Sequence, residues 1–256
     1  MNPHTTWFDF LPGYAALKQA LHPTLVRTWS WQVFQTTNFD LVHVMGALVV
    51  LVFLTFSVVR YSAAVSGSGD AGLVPPPKFG LRNLFEVLAD TVLGLMAGVM
   101  GEKAAKRYLP LVGTLFIFIL FSNLLGLIPG FLPPTETLKT NLALSISVFV
   151  ISHAVGVREH GLKYFKHFLG PIWWLAWLML PIEVVSHIAR PVSLSMRLMG
   201  NIVGDHKLVL VFFGILPILL PLPFMVMGVL VCVVQAVVFS LLTTVYISQA
   251  VAHEEH

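Results

Sequence analysis

Four stretches of this chain can fold in only one way in one solvent. Residues 41–59, 109–132, 140–157 and 224–252 are long apolar runs with no Asp, Glu, Lys or Arg. About 20 apolar residues cross the ~30 Å hydrocarbon of a bilayer. A segment inside hydrocarbon must satisfy its own backbone hydrogen bonds, so such runs are helices. The rest of the chain agrees: 57% of residues are hydrophobic and 11% are charged, against about 25% charged in soluble domains. A water-soluble fold of this composition exposes large apolar patches. A net charge of +3, spread along the chain, suits loops beside anionic lipid and excludes the clustered basic face of a nucleic-acid binder. The single cysteine, Cys232, lies within an apolar run, which excludes a disulfide framework and predicts a small buried apolar residue.

The stretches between these runs complete an expected architecture. Asp9, Lys18, His22 and Arg27 interrupt any signal-peptide core. Trp7, Phe8, Phe10, Trp29 and Trp31 suit a headgroup-level segment. Residues 1–40 are therefore expected to be periplasmic or interfacial, and 41–256 to form the membrane domain. Residues 62–80, with Ser-Gly repeats and Pro75, Pro76 and Pro77, read as a loop. Residues 81–107 carry Glu86, Asp90 and Glu102 on an otherwise apolar helix, which either spans or lies in the interface. Residues 171–216 are too long for one upright helix and hold Glu183, His187, Arg190, Arg197, Asp205, His206 and Lys207.

Basic loop residues choose among the topologies. Arg60, Lys78 and Arg82, then Arg158, Lys163 and Lys166, fall on one side with Lys103, Lys106 and Arg107 only if 81–107 lie in the plane. The expected fold is an all-α integral membrane protein with five transmembrane helices, about 41–60, 109–131, 140–157, 172–216 and 224–250. An amphipathic in-plane helix covers about 81–107. The N-terminus is outside and the C-terminus is cytoplasmic, in a bacterial plasma (inner) membrane.

Chemistry concentrates on the 172–216 helix. At about 100° per residue, with Arg197 at zero, Ser193 falls near −40°, Asn201 near +40°, Arg190 near +20°, Ser186 near −20° and Glu183 near +40°. Six polar residues thus share one face over roughly 27 Å, about a hydrocarbon thickness. Asp205 continues the stripe at about +80°, and His206 points about 180° from Arg197. An arginine at mid-depth costs about 3 kcal/mol on insertion scales and must gain a partner. Glu183 and Arg190 could pair structurally. Arg197 has no acidic residue within one helical turn, so its counter-charge is expected from elsewhere, including another chain.

These residues resemble a known signature. PVSLSMRLMGN (191–201) followed by GDH (204–206) resembles subunit a of the rotary ATP synthases, as do SNLLGLIPG (122–130), LPIE (180–183) and QAVVFSLLTTVYIS (235–248) before the HEEH tail. The likeness covers about residues 75–256. It implies a stator subunit, itself not an enzyme, whose long tilted two-helix hairpin (172–216 and 224–250) faces a ring of c subunits that carry buried carboxylates. It also implies peripheral-stalk b subunits as partners, beside the bilayer, and neither cofactor nor metal. Two offset half-channels would reach the ring. Arg197 matches the arginine that separates them, and Gln235 the glutamine beside it. Glu183 matches an acid of the cytoplasmic path, with Ser186 and Ser193 as companions, and Asn201 and His206 match the periplasmic side. One departure stands out. Residues 224–245 hold no ionisable side chain of the Asp, Glu, His, Lys or Arg type, and Gly228 or a neighbour sits where the family places one, leaving Asp205 as a substitute.

Weaker features suggest less. His153, His160 and His167 recur every seven residues, about 10 Å apart on one helix face, too far to share one ion. Tyr246 suits an interfacial anchor or a polar partner near the cytoplasmic exit. The competing reading, a self-contained secondary transporter, predicts matching broken helices in two halves, whereas the stripe occupies one helix only.

Overall fold

A computed structural model describes residues 6–17, 19–20, 41–66, 80–128, 130–161, 176–215 and 221–251. The aromatic stretch beyond residue 20, most of the 62–80 loop, His167 and the HEEH tail lie outside these residues. The described elements are helical: α1 (Val42–Ser66), α2 (Leu81–Met100), α3 (Glu102–Leu125), α4 (Leu138–His160), α5 (Ala176–Ile215) and α6 (Pro221–Val251). Short 3-10 turns cover Trp7–Phe10 and Pro134–Glu136.

Five described helices are long and apolar enough to cross a bilayer: Val42–Ala63, Leu81–Met100, Glu102–Leu125, Leu138–His160 and Pro221–Val251. α5 is outside that set and α2 is inside it. The chain is a multi-pass membrane protein. The helix expected over 81–107 stops at Gly101, whose φ of +78° no side-chain-bearing residue adopts readily. Residues 102–107 instead open α3, with Glu102 in its first turn, where a carboxylate suits the positive end of the helix dipole.

Paired contacts define two ends of the bundle. At one end, Arg107 of α3 bonds Glu159 of α4 at 2.8 Å, and His160 Nε2 lies 3.2 Å from the Val251 carbonyl of α6. This basic end gathers Lys103, Lys106, Arg107 and Arg158. At the opposite end, residues 126–137 turn α3 into α4. Gly126 is needed there, because a Cβ would sit 2.7 Å from the Pro133 ring. Thr135 Oγ1 donates to Asn123 Oδ1 at 2.6 Å, and Asn141 Nδ2 donates to the Thr135 carbonyl at 2.7 Å. The amino-terminal turn docks on this end: Trp7 N–H bonds the Gly130 carbonyl, and Phe8 meets Phe131 edge-on. Gly46 of α1 packs under Leu132 and Pro134, so α1 starts at the turn end and runs toward the basic end. α2 leans on α3, with Phe85 stacked on Phe121 at 5.9 Å.

The core lies between α2, α3, α4, α5 and α6, around Met96, Phe116, Ile119, Val148, Leu198 and Phe239. α5 passes through Pro181 and Pro191 without a break. Its 40 residues span ~60 Å, twice the hydrocarbon thickness, so the helix tilts by roughly 60° if both its ends stay near the interfaces. α6 runs antiparallel to it. Contacts at Arg190–Gln249, Asn201–Gln235, Asp205–Gly228 and Phe212–Phe224 pair each step along α5 with a similar step back along α6. α6 opens on Pro221, ahead of the expected start at 224, with proline at a first-turn position that needs no N–H donor.

Candidate functional site: a polar stripe at the edge of the α5–α6 pair

The six stripe residues do not face one environment. Leu194, Leu198, Ile202, Ser195, His187 and Pro191 are the buried positions among the described residues of α5. On the same wheel they fall between about +60° and about +160°. Residues near zero therefore sit at the rim of the packed face. Ser186, Ser193 and Arg197 are exposed, whereas Glu183 and Arg190 lean inward and are half-buried. A helical wheel gives the spread of the stripe but not the direction of the core.

Arg197 makes no hydrogen bond or ion pair with any described residue. It stands on an outward face with small neighbours: a Cβ added at Gly200 or Gly204 would meet nothing within 4 Å. One turn on, Asn201 Nδ2 donates to Gln235 Oε1 at 2.8 Å, and Gln235 is buried in α6. Asn201 and Gln235 thus meet in the middle of the hairpin, with Arg197 one turn before Asn201.

Toward the turn end, Asp205 is half-buried and its carboxylate fills the space of a missing side chain, since a Cβ on Gly228 would lie 2.5 Å from Asp205 Oδ2. The position in α6 that lacks an ionisable group is occupied from α5 instead. His206, also half-buried, points away from Arg197 toward the Pro134–Glu136 turn. That turn ends on Glu136. In the fold its Oε2 is buried without a hydrogen-bond partner among the described residues. Burial raises its pKa above the ordinary carboxylate value, and the nearby charges of His206 and Lys207 partly oppose this.

Toward the basic end, a cavity of about 310 Å³ opens between α4, α5 and α6. Glu183, His187 and Arg190 line it from α5, His153 from α4, and Tyr246 from α6. Arg190 Nη1 reaches Gln249 Oε1 at 3.4 Å and lies 5.6 Å from the Tyr246 ring centre. Ser186 and Ser193, expected beside Glu183, are not on this lining; Ser145 and Ser152 of α4 are. His187 was visible four residues after Glu183, the spacing of helix neighbours, but its meeting with His153 needs the fold.

The family model described as "ATP synthase A chain" matches residues 41–248. The chain belongs to that family. A relative called ATP synthase subunit a 1 in Syntrophotalea carbinolica is 47% identical over 237 residues, covering 90% of this chain and 97% of the relative. ATP synthase subunit a of Trichlorobacter lovleyi is 44% identical over 236 residues, covering 92% and 100%. That of Geobacter sulfurreducens is 49% identical over 177 residues, covering 69% and 76%. The match begins where α1 begins and includes every residue of the α5 stripe, with Glu136, His153, Gln235 and Tyr246; Gln249 lies one residue beyond it.

Proposed function

We propose that this chain is the proton-translocating stator subunit of the membrane sector of a rotary ATP synthase, with no catalytic chemistry of its own. The observation that carries this reading is Arg197: a cation within a membrane helix, on an outward face, with no counter-charge in the described chain. The partner it calls for is an acid on another chain that packs closely, and the open small-residue surface at Gly200 and Gly204 allows such an approach. The family resemblance supplies its identity, a ring of c subunits with membrane-buried carboxylates. The peripheral-stalk b subunits are the other expected protein partners.

In this mechanism a ring carboxylate within ~4–6 Å of Arg197 loses its proton, because a fixed cation lowers its pKa. Once rotated into lipid it is stable only when protonated. The guanidinium also blocks direct passage between two half-channels. Asp205, His206 and Glu136 form the outer one, with Asn201 and Gln235 at its inner limit. Glu183 and the cavity at the basic end form the cytoplasmic one, while exposed Ser186 and Ser193 line the ring-facing surface between it and Arg197. The driving force is about 2.3 kcal/mol per charge per 100 mV.

Orientation follows from the basic end being cytoplasmic, which places the amino-terminal turn outside and the end of α6 inside, in the plasma membrane of a bacterium. α1 exits at the basic end and α3 begins there. The basic residues Lys78, Arg82, Lys103, Lys106 and Arg107 at both ends of α2 favour an in-plane placement on the cytoplasmic side. A spanning α2 is the second reading: α2 is long and apolar enough to cross, and Phe85, near its start, stacks on Phe121, well along α3 toward the turn end.

Arg197→Ala in inverted membrane vesicles tests the whole reading. ATP-driven proton pumping is expected to fall to background; intact pumping overturns the proposal.

A further inference from the structure

Two imidazoles that no part of the mechanism above uses meet in the basic-end cavity. His153 of α4 and His187 of α5 touch edge to face, with ring centres 5.3 Å apart. Each ring has one nitrogen fixed. His187 Nδ1 lies 2.9 Å from the Glu183 carbonyl, and His153 Nδ1 lies 2.8 Å from the Phe149 carbonyl. A carbonyl oxygen only accepts, so in both neutral rings Nδ1 carries the hydrogen and Nε2 is the basic atom. The Glu183 carboxylate stands 3.3 Å from His187 Nδ1, so a proton gained at Nε2 gives a cation beside an anion.

We infer that His153 and His187 form, with Glu183, a proton-collecting relay that spans from α5 to α4 and feeds the cytoplasmic half-channel. This rests on the stator reading. Other groups line the same cavity: Arg190 from α5, held toward Gln249 and Tyr246 of α6, Tyr246 itself, and Ser145 and Ser152 of α4. Among the described residues no three His, Cys, Asp or Glu side chains gather at metal-ligand distances, so the cluster is suited to protons. The relay works by Nε2 of one ring accepting a proton from cavity water and returning that same proton to the next water on the way to Glu183, so Nδ1–H stays on its carbonyl and the ring ends unchanged. At low pH the cavity water carries enough protons by itself, so a ring nitrogen that captures and releases them matters most where protons are scarce.

The test is the pH profile of ATP-driven pumping by inverted vesicles, whose outer medium is the cytoplasmic side. The double variant His153→Gln, His187→Gln is expected to pump near the parental rate at about pH 6.5, and to fall behind roughly tenfold by about pH 8.5. Added imidazole buffer is expected to restore much of the deficit, which a packing defect would not allow. A profile parallel to the parent's overturns the inference, as does a deficit that imidazole leaves unchanged. If the double variant fails to assemble, the single variants are read in the same way, and parallel profiles from both overturn it equally. Arg197→Ala is run alongside. Pumping that survives in that variant removes the stator reading itself. Loss of pumping there, with a normal pH profile in the histidine variants, removes only the relay.

Discussion

The α3–α4 turn and the outward face of α5 both place polar side chains among apolar helices, with opposite outcomes. At the turn, Asn123, Thr135 and Asn141 are fully buried and bond to one another. On α5, Ser186, Ser193 and Arg197 are exposed, and Arg197 has no partner among the described residues. Polar groups that bond inside one chain hold that chain together, even though Asn123 Nδ2 and Asn141 Oδ1 have no hydrogen-bond partner among the described residues. Polar groups left unsatisfied at a lipid-facing surface specify what must come to meet them, because hydrocarbon offers no substitute for water.

The comparison breaks most visibly at Arg197. Arg197→Lys keeps the charge but loses the planar fork. We expect pumping to drop by on the order of 100-fold while the subunit still assembles, because the side chain bonds nothing described in its own chain. Normal pumping by the lysine variant would show that charge alone suffices.

Next comes Gly200→Leu on the open face. A Cβ there meets nothing within 4 Å, so the stability of the purified subunit should hold within about 0.5 kcal/mol in thermal unfolding. Co-purification of the ring and proton pumping should both fail. Gly228→Ala is the internal counterpart: its Cβ collides with Asp205 and Leu127, and stability should drop by about 1–3 kcal/mol. If Gly200→Leu instead destabilised the isolated chain, that face would be packed internally.

Thr135→Val removes the donor to Asn123 and is expected to cost about 1–3 kcal/mol in thermal unfolding of the detergent-solubilised protein. Pumping per assembled complex should be unchanged. The smallest effect belongs to Glu136. Its raised pKa means that the folded state favours the protonated form, so its contribution is present at low pH and is lost as pH rises through the raised value. Glu136→Gln should flatten this decline in unfolding midpoint against pH. An unchanged slope would show that the carboxyl is solvated.

Much of this was legible beforehand because long apolar runs and helical spacing are local properties. The unbroken helix through Pro181 and Pro191, the Arg197 stripe and the vacancy at Gly228 could all be read from single segments. The end of α2 at Gly101 was missed because the apolar-polar pattern continues across it, although Gly followed by Glu is a helix-restart signal. The inward lean of Glu183 and Arg190 depends on where α4 and α6 pack. The burial of Glu136 depends on a turn folding over the end of α5, and a turn has no periodicity to announce that.

The length of α5 has one more consequence. Asp205 and Glu183 are 22 residues apart, or ~33 Å of helix; at a tilt near 60° this is about 30 Å of sideways travel for about 15 Å of depth. In the proposed mechanism, a charge handed from one to the other drifts along the bilayer about twice as far as it sinks through it. A voltage that pushes straight down is thereby met by a track that runs mostly across, and whatever carries the charge along that track is pushed to the side.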